Sequence, residues 1–330
     1  MRKGTFVFSL DCEGYWGMAD LIANASAPGW RSAVLAQTYA QLLEVFDRFE
    51  VPATWAFVAA FVHTQDEMHA CTYLTQERVN YRGQDWAAAF KTNWAAGDTD
   101  GWLCPEALEL VRRTSAHEIA AHGFSHLPLD EADTTAAAAG RELDLLAAFW
   151  KARGLSPDTF VFPRNQPGHL EQLGERYAAY RPPHRLEVRR DAGARLLRLL
   201  DEVNPFVKPA EHGSPAPRPV VLPPALLLNH RAGGRRLVPP ALTLFRLQRL
   251  LRRAIETSSV VHLYSHPHNF LTGNRQFELL AEVLTLVQAR VRAGELEVIT
   301  QSDYAARLLR AAELAKQNDR ASSSATPANP

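Results

Sequence analysis

The chain has 330 residues, of which 46% are hydrophobic and 22% charged, a composition typical of a globular protein with one large domain or two smaller ones. Lys plus Arg and Asp plus Glu each total 36, so no net basic field points to nucleic acid as a partner. The three cysteines, Cys12, Cys71 and Cys104, form no CxxC pair, which argues against a disulfide framework and favours a reducing cytoplasm. The short apolar stretch near the N-terminus is not expected to be a signal peptide, and no run reaches membrane-spanning length.

Predicted strands alternate with predicted helices along the chain. Strands are expected at 5–11, 51–61, 159–163 and 260–266, and helices at 31–49, 105–115, 130–153, 168–178, 241–256 and 274–293, with 296–309 closing the fold. Two segments interrupt this alternation: an insertion near 63–103, and a proline-rich segment at 205–240 that is predicted to be largely loop. We expect one domain over 1–312 and a disordered tail at 313–330.

The alternation predicts an α/β fold with a parallel sheet, open or closed into a barrel, and chemistry at the carboxyl ends of its strands. The segment "VFSLDCEGYW" (7–16) ends the first strand on two acidic residues. Because side chains alternate along a strand, Asp11 and Glu13 point to one face and Cys12 to the other. The sequence therefore places two carboxylates together at an edge where chemistry is expected.

The segment "HEIAAHGFSH" (117–126) is the richest in histidine. It does not fit the metalloprotease motif HExxH, because His117 and His122 are five residues apart and lie about 140° apart around a helix. His122 and His126 are four residues apart and can reach one metal ion. By itself this spacing is also compatible with a partly buried pair of histidines.

Four segments in order, "SLDCEG", "HEIAAHGFSH", "FVFPRN" and "YSHPHN", give the chain a resemblance to the polysaccharide deacetylase family, the NodB-homology enzymes of carbohydrate esterase family 4. The four segments are spread in order over most of the chain, although only about thirty residues belong to recognisable motifs. The resemblance implies a distorted (β/α) barrel of the NodB-homology type with loop insertions. It also implies a divalent metal cofactor, most typically Zn²⁺.

The resemblance assigns a role to each landmark. It implies that Asp11 is the catalytic base, that Glu13, His122 and His126 are the metal ligands, and that His266 is the catalytic histidine. Glu13 stands where family members have an aspartate, so its role and that of Asp11 could be exchanged. The family pattern has an arginine just before a proline that steadies the base; here Arg164 follows Pro163 and is expected to reach Asp11.

Further candidates surround these residues. Tyr15 and Trp16 are predicted to stack on a sugar ring, with core packing as the alternative. His268 is expected to contact substrate or a phosphate, or to be a surface residue. His262 is interpreted as a packed core residue.

The expected substrate follows from the missing signal peptide. We expect a cytoplasmic, metal-dependent N-deacetylase acting on an N-acylated amino sugar, a nucleotide-linked or lipid-linked precursor of a bacterial cell-surface polysaccharide such as O-antigen. The basic helix "RLQRLLRRAI" (246–255) also allows weak association with an anionic membrane surface. The alternatives are a small-molecule amidohydrolase of the allantoinase-like branch and an inactive glycan-binding relative.

Overall fold

The computed structural model describes residues 3–22, 29–184, 208–210, 218–230 and 233–324. The strands are β1 (Gly4–Cys12), β2 (Thr54–Phe57), β3 (Asn80–Tyr81), β4 (Gln84–Asp85), β5 (Glu118–Ala121), β6 (Thr159–Val161), β7 (Ala179–Arg181), β8 (Val220–Val221), β9 (Leu226–Leu227), β10 (Val260–Ser265) and β11 (Leu296–Val298). The α-helices are α1 (Ala19–Ile22), α2 (Ser32–Arg48), α3 (Gln65–Ala70), α4 (Thr72–Thr75), α5 (Ala88–Ala95), α6 (Pro105–Arg112), α7 (Ala136–Ala152), α8 (Leu170–Gly174), α9 (Pro240–Thr257), α10 (Asn274–Arg292) and α11 (Gln301–Ser324).

Nine of the described strands form one sheet in the order β8-β7-β6-β5-β2-β1-β10-β9, with β11 added beside the start of β1. Its strand pairs are parallel. The sheet curls into a half-barrel surrounded by helices, which confirms the predicted distorted (β/α) barrel. Because the strands are parallel, the residues that follow β1, β5, β6, β7 and β10 meet at one end of the half-barrel.

The central strand β1 has two different faces. One face joins the main hydrophobic core beneath the helices through Phe6, Phe8, Leu10 and Cys12. The alternate residues lie on the other, concave face: Val7 belongs to a separate small cluster, and Ser9 and Asp11 follow it toward the carboxyl end. The period of two therefore confirms that the thiol of Cys12 is turned away from Asp11.

The helix α2 covers the outer face of β1 for the reason that its sequence predicts. Leu35, Tyr39, Leu42 and Phe46 recur at three- and four-residue spacing, and all four are buried. The Phe46 ring meets the ring of Phe8 edge to face, with centroids 5.1 Å apart. This contact holds the helix against the strand that carries Asp11.

The two segments predicted to interrupt the alternation differ in how much regular structure they contain. The segment near 63–103 holds α3, α4, the hairpin β3–β4 and α5, and its buried aromatic residues belong to the main core. In the segment 205–240, the two-residue strands β8 and β9 extend the two edges of the sheet, and the described residues around them are largely loop, as predicted. Its prolines flank the short strands instead of interrupting them: Pro219 precedes β8, and Pro223 and Pro224 lie between β8 and β9.

Several predicted features fall partly outside the described residues. Residues 205–207, 211–217 and 231–232 of the proline-rich segment belong to the part that is not described. The predicted tail at 313–330 begins inside α11, and residues 325–330 are not described. In the part of the chain that the structure describes, no helix combines the length and the apolar character needed to cross a membrane.

Candidate active site at the carboxyl end of the sheet

Side chains that follow or end three strands of the sheet converge at the carboxyl end of the half-barrel. Asp11 and Glu13 come from the end of β1, His122 follows β5, and His266 follows β10. β1 pairs with β10 on one side and with β2 on the other, and β2 pairs with β5. The strand order therefore brings together residues that are more than two hundred positions apart in sequence.

A tight turn after β1 directs Glu13 into this cluster. Gly14 has a φ of 50°, and a Cβ there would lie 2.4 Å from the carbonyl oxygen of Gly101. A Cβ at Gly17 would lie 2.0 Å from Oε1 of Glu13. Glycine is required at both positions because the backbone or the carboxylate occupies the space of a side chain.

Asp11 is held by an arginine that the sequence reasoning missed. Nη1 and Nη2 of Arg181 donate to Oδ1 and Oδ2 of Asp11 at 2.8 and 2.6 Å. Asp11 is 3% exposed and Arg181 1% exposed, so the pair is fully desolvated. Burial alone would raise the pKa of Asp11, but the Arg181 guanidinium, with smaller effects from His122 and His266, lowers it below the usual value. Asp11 is therefore kept ionised.

The expected contact of Arg164 with Asp11 is corrected by this pairing. Arg164 forms an ion pair with Asp20 instead, and its guanidinium lies 5.8 Å from the centre of the Trp86 ring. The backbone after Pro163 turns through a left-handed conformation at Arg164, with φ 56°, which carries the side chain away from Asp11. The sequence does contain a signal for Arg181: it is the last residue of β7 and precedes Pro182, as the family pattern requires.

Glu13, His122 and His126 are the described residues that fit a metal site. Their ligand atoms lie within 4.8 Å of one another, and all three side chains are buried. Nε2 of His122 and Nε2 of His126 lie 3.2 and 2.9 Å from Oε2 of Glu13. Burial alone would raise the pKa of Glu13, but His126 and His266 hold it well below the usual range. An ionised carboxylate between two imidazoles is a donor set that Zn²⁺ accepts.

The hydrogen bonds of the two histidines agree with that reading. Nδ1 of His122 donates to the carbonyl oxygen of Val161 at 2.8 Å, which leaves the lone pair on Nε2 facing Glu13. Nδ1 of His126 is buried without a hydrogen-bond partner among the described residues, and Nε2 faces Oε2 of Glu13 at 2.9 Å without the geometry of a hydrogen bond. Because buried polar atoms in proteins are nearly always partnered, His126 fits a ring that coordinates a cation through one nitrogen.

Hydrogen bonds to the neighbouring Ser125 fix the loop that carries His126. The backbone N–H and the hydroxyl of Ser125 both donate to the carboxylate of Glu142, at 3.0 and 2.6 Å, and its carbonyl accepts from Nε1 of Trp86 at 2.8 Å. His126 itself has a φ of 62°. These bonds hold a left-handed backbone conformation that a histidine seldom adopts, so the loop geometry is imposed by its surroundings.

His266 lies beside both carboxylates. Its Nε2 is 3.9 Å from Oδ2 of Asp11 and 3.6 Å from Oε1 of Glu13, and its side chain is 22% exposed. The amide nitrogen of Asn269 lies 3.3 Å from Nδ1 of His266. With Asn269 donating, Nδ1 is the acceptor and Nε2 carries the proton that faces the carboxylates.

His268 stacks on His266 and is not an open surface residue. Its ring lies between His266, at a centroid distance of 4.9 Å, and Trp30, at 4.5 Å, and both pairs are stacked. Tyr15 stacks in turn on Trp30, with centroids 4.9 Å apart. Burial and the neighbouring His266 lower the pKa of His268 to about 3, so its ring is neutral. Trp30 was missed because no motif surrounds it in the sequence.

The prediction that Tyr15 and Trp16 stack on a sugar is corrected in favour of core packing. Trp16 is 0% exposed, donates from Nε1 to the carbonyl of Trp102 at 3.0 Å, and packs against that residue. Tyr15 is 3% exposed, and its hydroxyl accepts from the backbone N–H of Trp30 at 2.7 Å. The turn after Glu13 places both rings beneath the insertion at 63–103, where neither ring has a face open to a ligand.

Three further residues of the histidine-rich segments, His262, His117 and Glu118, are not part of the cluster. His262 is buried, and Nδ1 donates to the carbonyl of Pro223 at 2.8 Å, which confirms its interpretation as a core residue. His117 accepts the backbone N–H of Ala53 at Nδ1, and Glu118 binds Thr54 and Thr159 at the opposite end of the sheet. Only the second half of "HEIAAHGFSH" therefore reaches the site.

Comparison with solved structures identifies the architecture. A structure from Mycobacterium smegmatis assigned to the polysaccharide deacetylases matches at 15% identity and TM-score 0.57, covering 95% of this chain and 92% of the other. One from Pseudomonas aeruginosa PAO1, also assigned to the polysaccharide deacetylases, matches at 13% identity and TM-score 0.52, covering 93% and 91%. The fold is that of the polysaccharide deacetylases.

The same fold also includes a different hydrolase. The Puue allantoinase matches at 11% identity and TM-score 0.53, covering 93% of this chain and 90% of the other. No family model and no curated protein sequence matches the chain. The likeness to polysaccharide deacetylases predicted from the four sequence segments is thus confirmed at the level of the fold.

Proposed function

We propose that this protein is a metal-dependent N-deacetylase that hydrolyses the amide of an N-acylated amino sugar. The observation that carries the proposal is the meeting of three groups at one end of the half-barrel. The first is the buried carboxylate of Asp11, which accepts two hydrogen bonds from Arg181. The second is the candidate ligand set Glu13, His122 and His126. The third is His266, whose Nε2 lies 3.6–3.9 Å from both carboxylates. Amide hydrolysis uses a base, an electrophile and an acid of these kinds.

Glu13, His122 and His126 would hold the divalent metal, which we propose to be Zn²⁺. Two neutral imidazoles and one carboxylate are a ligand set of catalytic zinc sites. When bound, the cation supplies a Lewis acid and lowers the pKa of a bound water. The carbonyl of Val161 fixes the tautomer of His122 that presents Nε2 for binding.

Asp11 would accept the proton of the attacking water. The fork from Arg181 occupies one lone-pair direction on each carboxylate oxygen, so each oxygen retains a second acceptor site. Arg181 also keeps Asp11 ionised, and an ionised carboxylate is the form that can take a proton. Asp11 is therefore proposed as the base and Glu13 as the ligand.

His266 would protonate the departing amine. An amide nitrogen leaves poorly until it is protonated, so a proton donor must reach it. The acid form is the imidazolium, which would give its Nε2 proton to the amine and return to the neutral ring; the side-chain amide of Asn269, 3.3 Å from Nδ1, orients the ring for this transfer. The 22% exposure of the side chain leaves room for a leaving group beside it.

We further propose that the substrate is a nucleotide-linked or lipid-linked N-acetyl amino sugar on its way into a bacterial cell-surface polysaccharide such as O-antigen, and that the protein acts in the cytoplasm. The absence of disulfide pairing supports this location: Cys12, Cys71 and Cys104 are all free. A weak association with anionic membrane would use α9, where Arg252 and Arg253 are exposed and Phe245 is 48% exposed.

An allantoinase-like amidohydrolase is the second candidate, because the fold likeness to an allantoinase is of the same order. The test is to incubate the metal-loaded protein with a panel of nucleotide-linked and lipid-linked N-acetyl sugars and with allantoin. Release of acetate is followed by mass, and Asp11→Asn protein serves as the control. Acetate from a sugar supports the proposal, whereas ring opening of allantoin alone replaces it with the second candidate. Binding of a sugar without turnover would instead indicate the inactive glycan-binding relative.

A further inference from the structure

A polar chain lies beneath Asp11 inside the half-barrel. Ser9 is two residues before Asp11 on the same face of β1 and is 0% exposed. Nη1 of Arg181 donates to Oγ of Ser9 at 3.0 Å as well as to Asp11 at 2.8 Å. The guanidinium therefore binds two residues of β1 at once.

The chain continues to β10. His262 is 2% exposed, and its Nε2 lies 3.1 Å from Oγ of Ser9. Its Nδ1 lies 2.8 Å from the carbonyl oxygen of Pro223, which can only accept a hydrogen bond. Nδ1 of His262 must therefore carry the proton, and Nε2 must be an acceptor.

This tautomer gives every bond in the chain one direction. The Ser9 hydroxyl donates to Nε2 of His262, so its oxygen is free to accept from Nη1 of Arg181. Arg181 donates in turn to both oxygens of Asp11. No member of the chain can exchange donor and acceptor roles without breaking a bond to its neighbour.

Two further contacts restrict the same groups. The amide nitrogen of Gln301 lies 3.4 Å from Nε2 of His262, in agreement with an acceptor at that atom. The guanidinium of Arg181 lies 4.5 Å from the centre of the Tyr264 ring. Burial and the nearby positive charge of Arg181 lower the pKa of His262 to about 3, so the neutral ring required by the chain is the stable form.

We propose that Ser9 and His262 are positioning residues that act through Arg181 to hold the carboxylate of Asp11 in its working orientation. The proposal rests on the proposed function only in taking Asp11 as the base. Arginine presents its donors in a rigid planar fork, so an acceptor on one edge fixes the direction of the other edge. Without the Ser9 oxygen, one N–H of Nη1 loses a buried partner and the fork can rotate away from Asp11.

The first experiment compares Ser9→Ala with Ser265→Ala in the metal-loaded protein. Both changes remove one buried hydroxyl, but the oxygen of Ser265 has no hydrogen-bond partner among the described residues. With 4-nitrophenyl acetate as probe, Ser9→Ala is expected to lower kcat by about 10–100-fold, the size typical of losing an outer-shell partner. KM, metal affinity and thermal stability should stay close to those of Ser265→Ala, and Ser9→Thr should restore kcat.

A second variant, His262→Phe, removes the Nε2 acceptor of the Ser9 hydroxyl and keeps a planar ring in its place. The double variant Ser9→Ala/His262→Phe is expected to lower kcat no further than the more damaging of the two single variants does, because both changes break the same chain. Unchanged kcat in folded Ser9→Ala protein would overturn the proposal, and so would a loss that follows only the metal content or the folded fraction. If His262→Phe does not fold, Ser9→Ala decides the question alone.

A measurement without turnover separates this proposal from the proposed function. In protein labelled with ¹⁵N-arginine, restricted rotation should give Arg181 resolved Nη resonances, which Arg181→Lys protein identifies by their loss. Ser9→Ala should merge these resonances and Ser265→Ala should not. If they stay resolved in Ser9→Ala, the chain does not hold Arg181. If wild-type protein releases acetate from no probe, the proposed function fails while this result still stands.

Discussion

Two buried glutamates occupy opposite ends of the same sheet and have opposite surroundings. Glu118 begins β5, and it accepts hydrogen bonds from the hydroxyls of Thr54 and Thr159 and from the backbone N–H of Ser302. Glu13 follows the end of β1, and its close partners are the Nε2 atoms of His122 and His126. Both carboxylates are less than a tenth exposed.

The difference separates a structural carboxylate from one suited to chemistry. Burial raises the pKa of Glu118 despite its three donors, whereas His126 and His266 outweigh burial at Glu13 and lower its pKa well below the usual range. Glu118 is satisfied by neutral groups of the protein itself. Glu13 lies between two imidazoles, and Nδ1 of His126 has no hydrogen-bond partner in the described part of the chain. A carboxylate between two imidazoles is a set that a cation completes.

The largest expected effect is at the imidazoles beside Glu13. His122→Ala and His126→Ala should each lower zinc affinity by more than about 10²-fold, beyond the range of an outer-shell change, because two protein ligands rarely hold zinc. Metal content after dialysis measures the loss. His117→Ala is the matched control, since the ring of that histidine contacts Ala53 and Asp47 at the other end of the sheet and its loss should leave metal binding intact. Full metal occupancy in either variant would mean that the replaced histidine is not a ligand and would remove the proposed metal set.

The two carboxylates at the end of β1 should respond differently to neutral replacement. Asp11→Asn is expected to lower turnover by about 10²–10⁴-fold, the usual contribution of a general base, while metal is retained. Glu13→Gln should weaken metal binding, which a chelator competition measures. The reverse pattern would exchange the roles of Asp11 and Glu13.

His266 should matter for the leaving group. His266→Ala is expected to keep metal and lower amide turnover by about 10²–10⁴-fold because the amine loses its proton donor. The loss should be smaller on an activated ester, whose leaving group departs without a proton. Equal losses on both substrates, or loss of metal, would make His266 a ligand or a structural residue.

The site residues at the strand ends could be predicted from the sequence because the patterns that identify them are local. The alternation of Asp11, Cys12 and Glu13 predicts the face of each side chain, and the spacing of His122 and His126 predicts a shared neighbour. The fold could be predicted from the order of strands and helices, since parallel strands bring their carboxyl ends together.

Arg181 was not predicted because its one signal, the dipeptide Arg181-Pro182, ends a strand that has almost no local pattern. β7, β8 and β9 contain two or three residues each, too short for periodicity to distinguish them from loops. The burial of Tyr15 and Trp16 could not be predicted from the sequence either, because it depends on how the insertion at 63–103 packs against the turn after Glu13. For Arg164, the left-handed backbone after Pro163 decides the direction of the side chain.

Truncating the structural carboxylate should affect stability and leave the metal site unchanged. Glu118→Ala removes the acceptor for Thr54, Thr159 and Ser302, and each buried donor left without a partner costs about 1–3 kcal/mol of stability. Urea unfolding is expected to show a loss of at least that size, with zinc affinity unchanged per folded molecule. A fall in zinc affinity would show that the two ends of the sheet are coupled.

The smallest expected effect is in the pH dependence of stability, where Glu118 and Asp11 should have opposite signs. Because the folded-state pKa of Glu118 is raised above 4.5, the folded protein binds more protons than the unfolded chain, and its contribution to the free energy of unfolding falls as the pH rises from 4.5 through the raised pKa. Because the folded-state pKa of Asp11 is lowered below 3.8, its contribution is present above 3.8 and is lost as the pH falls through the lowered pKa. Urea unfolding of Glu118→Gln and Asp11→Asn protein, each compared with wild type across both ranges, should give difference curves of opposite slope. Slopes of the same sign would mean that the two buried carboxylates have the same kind of environment, contrary to their contacts.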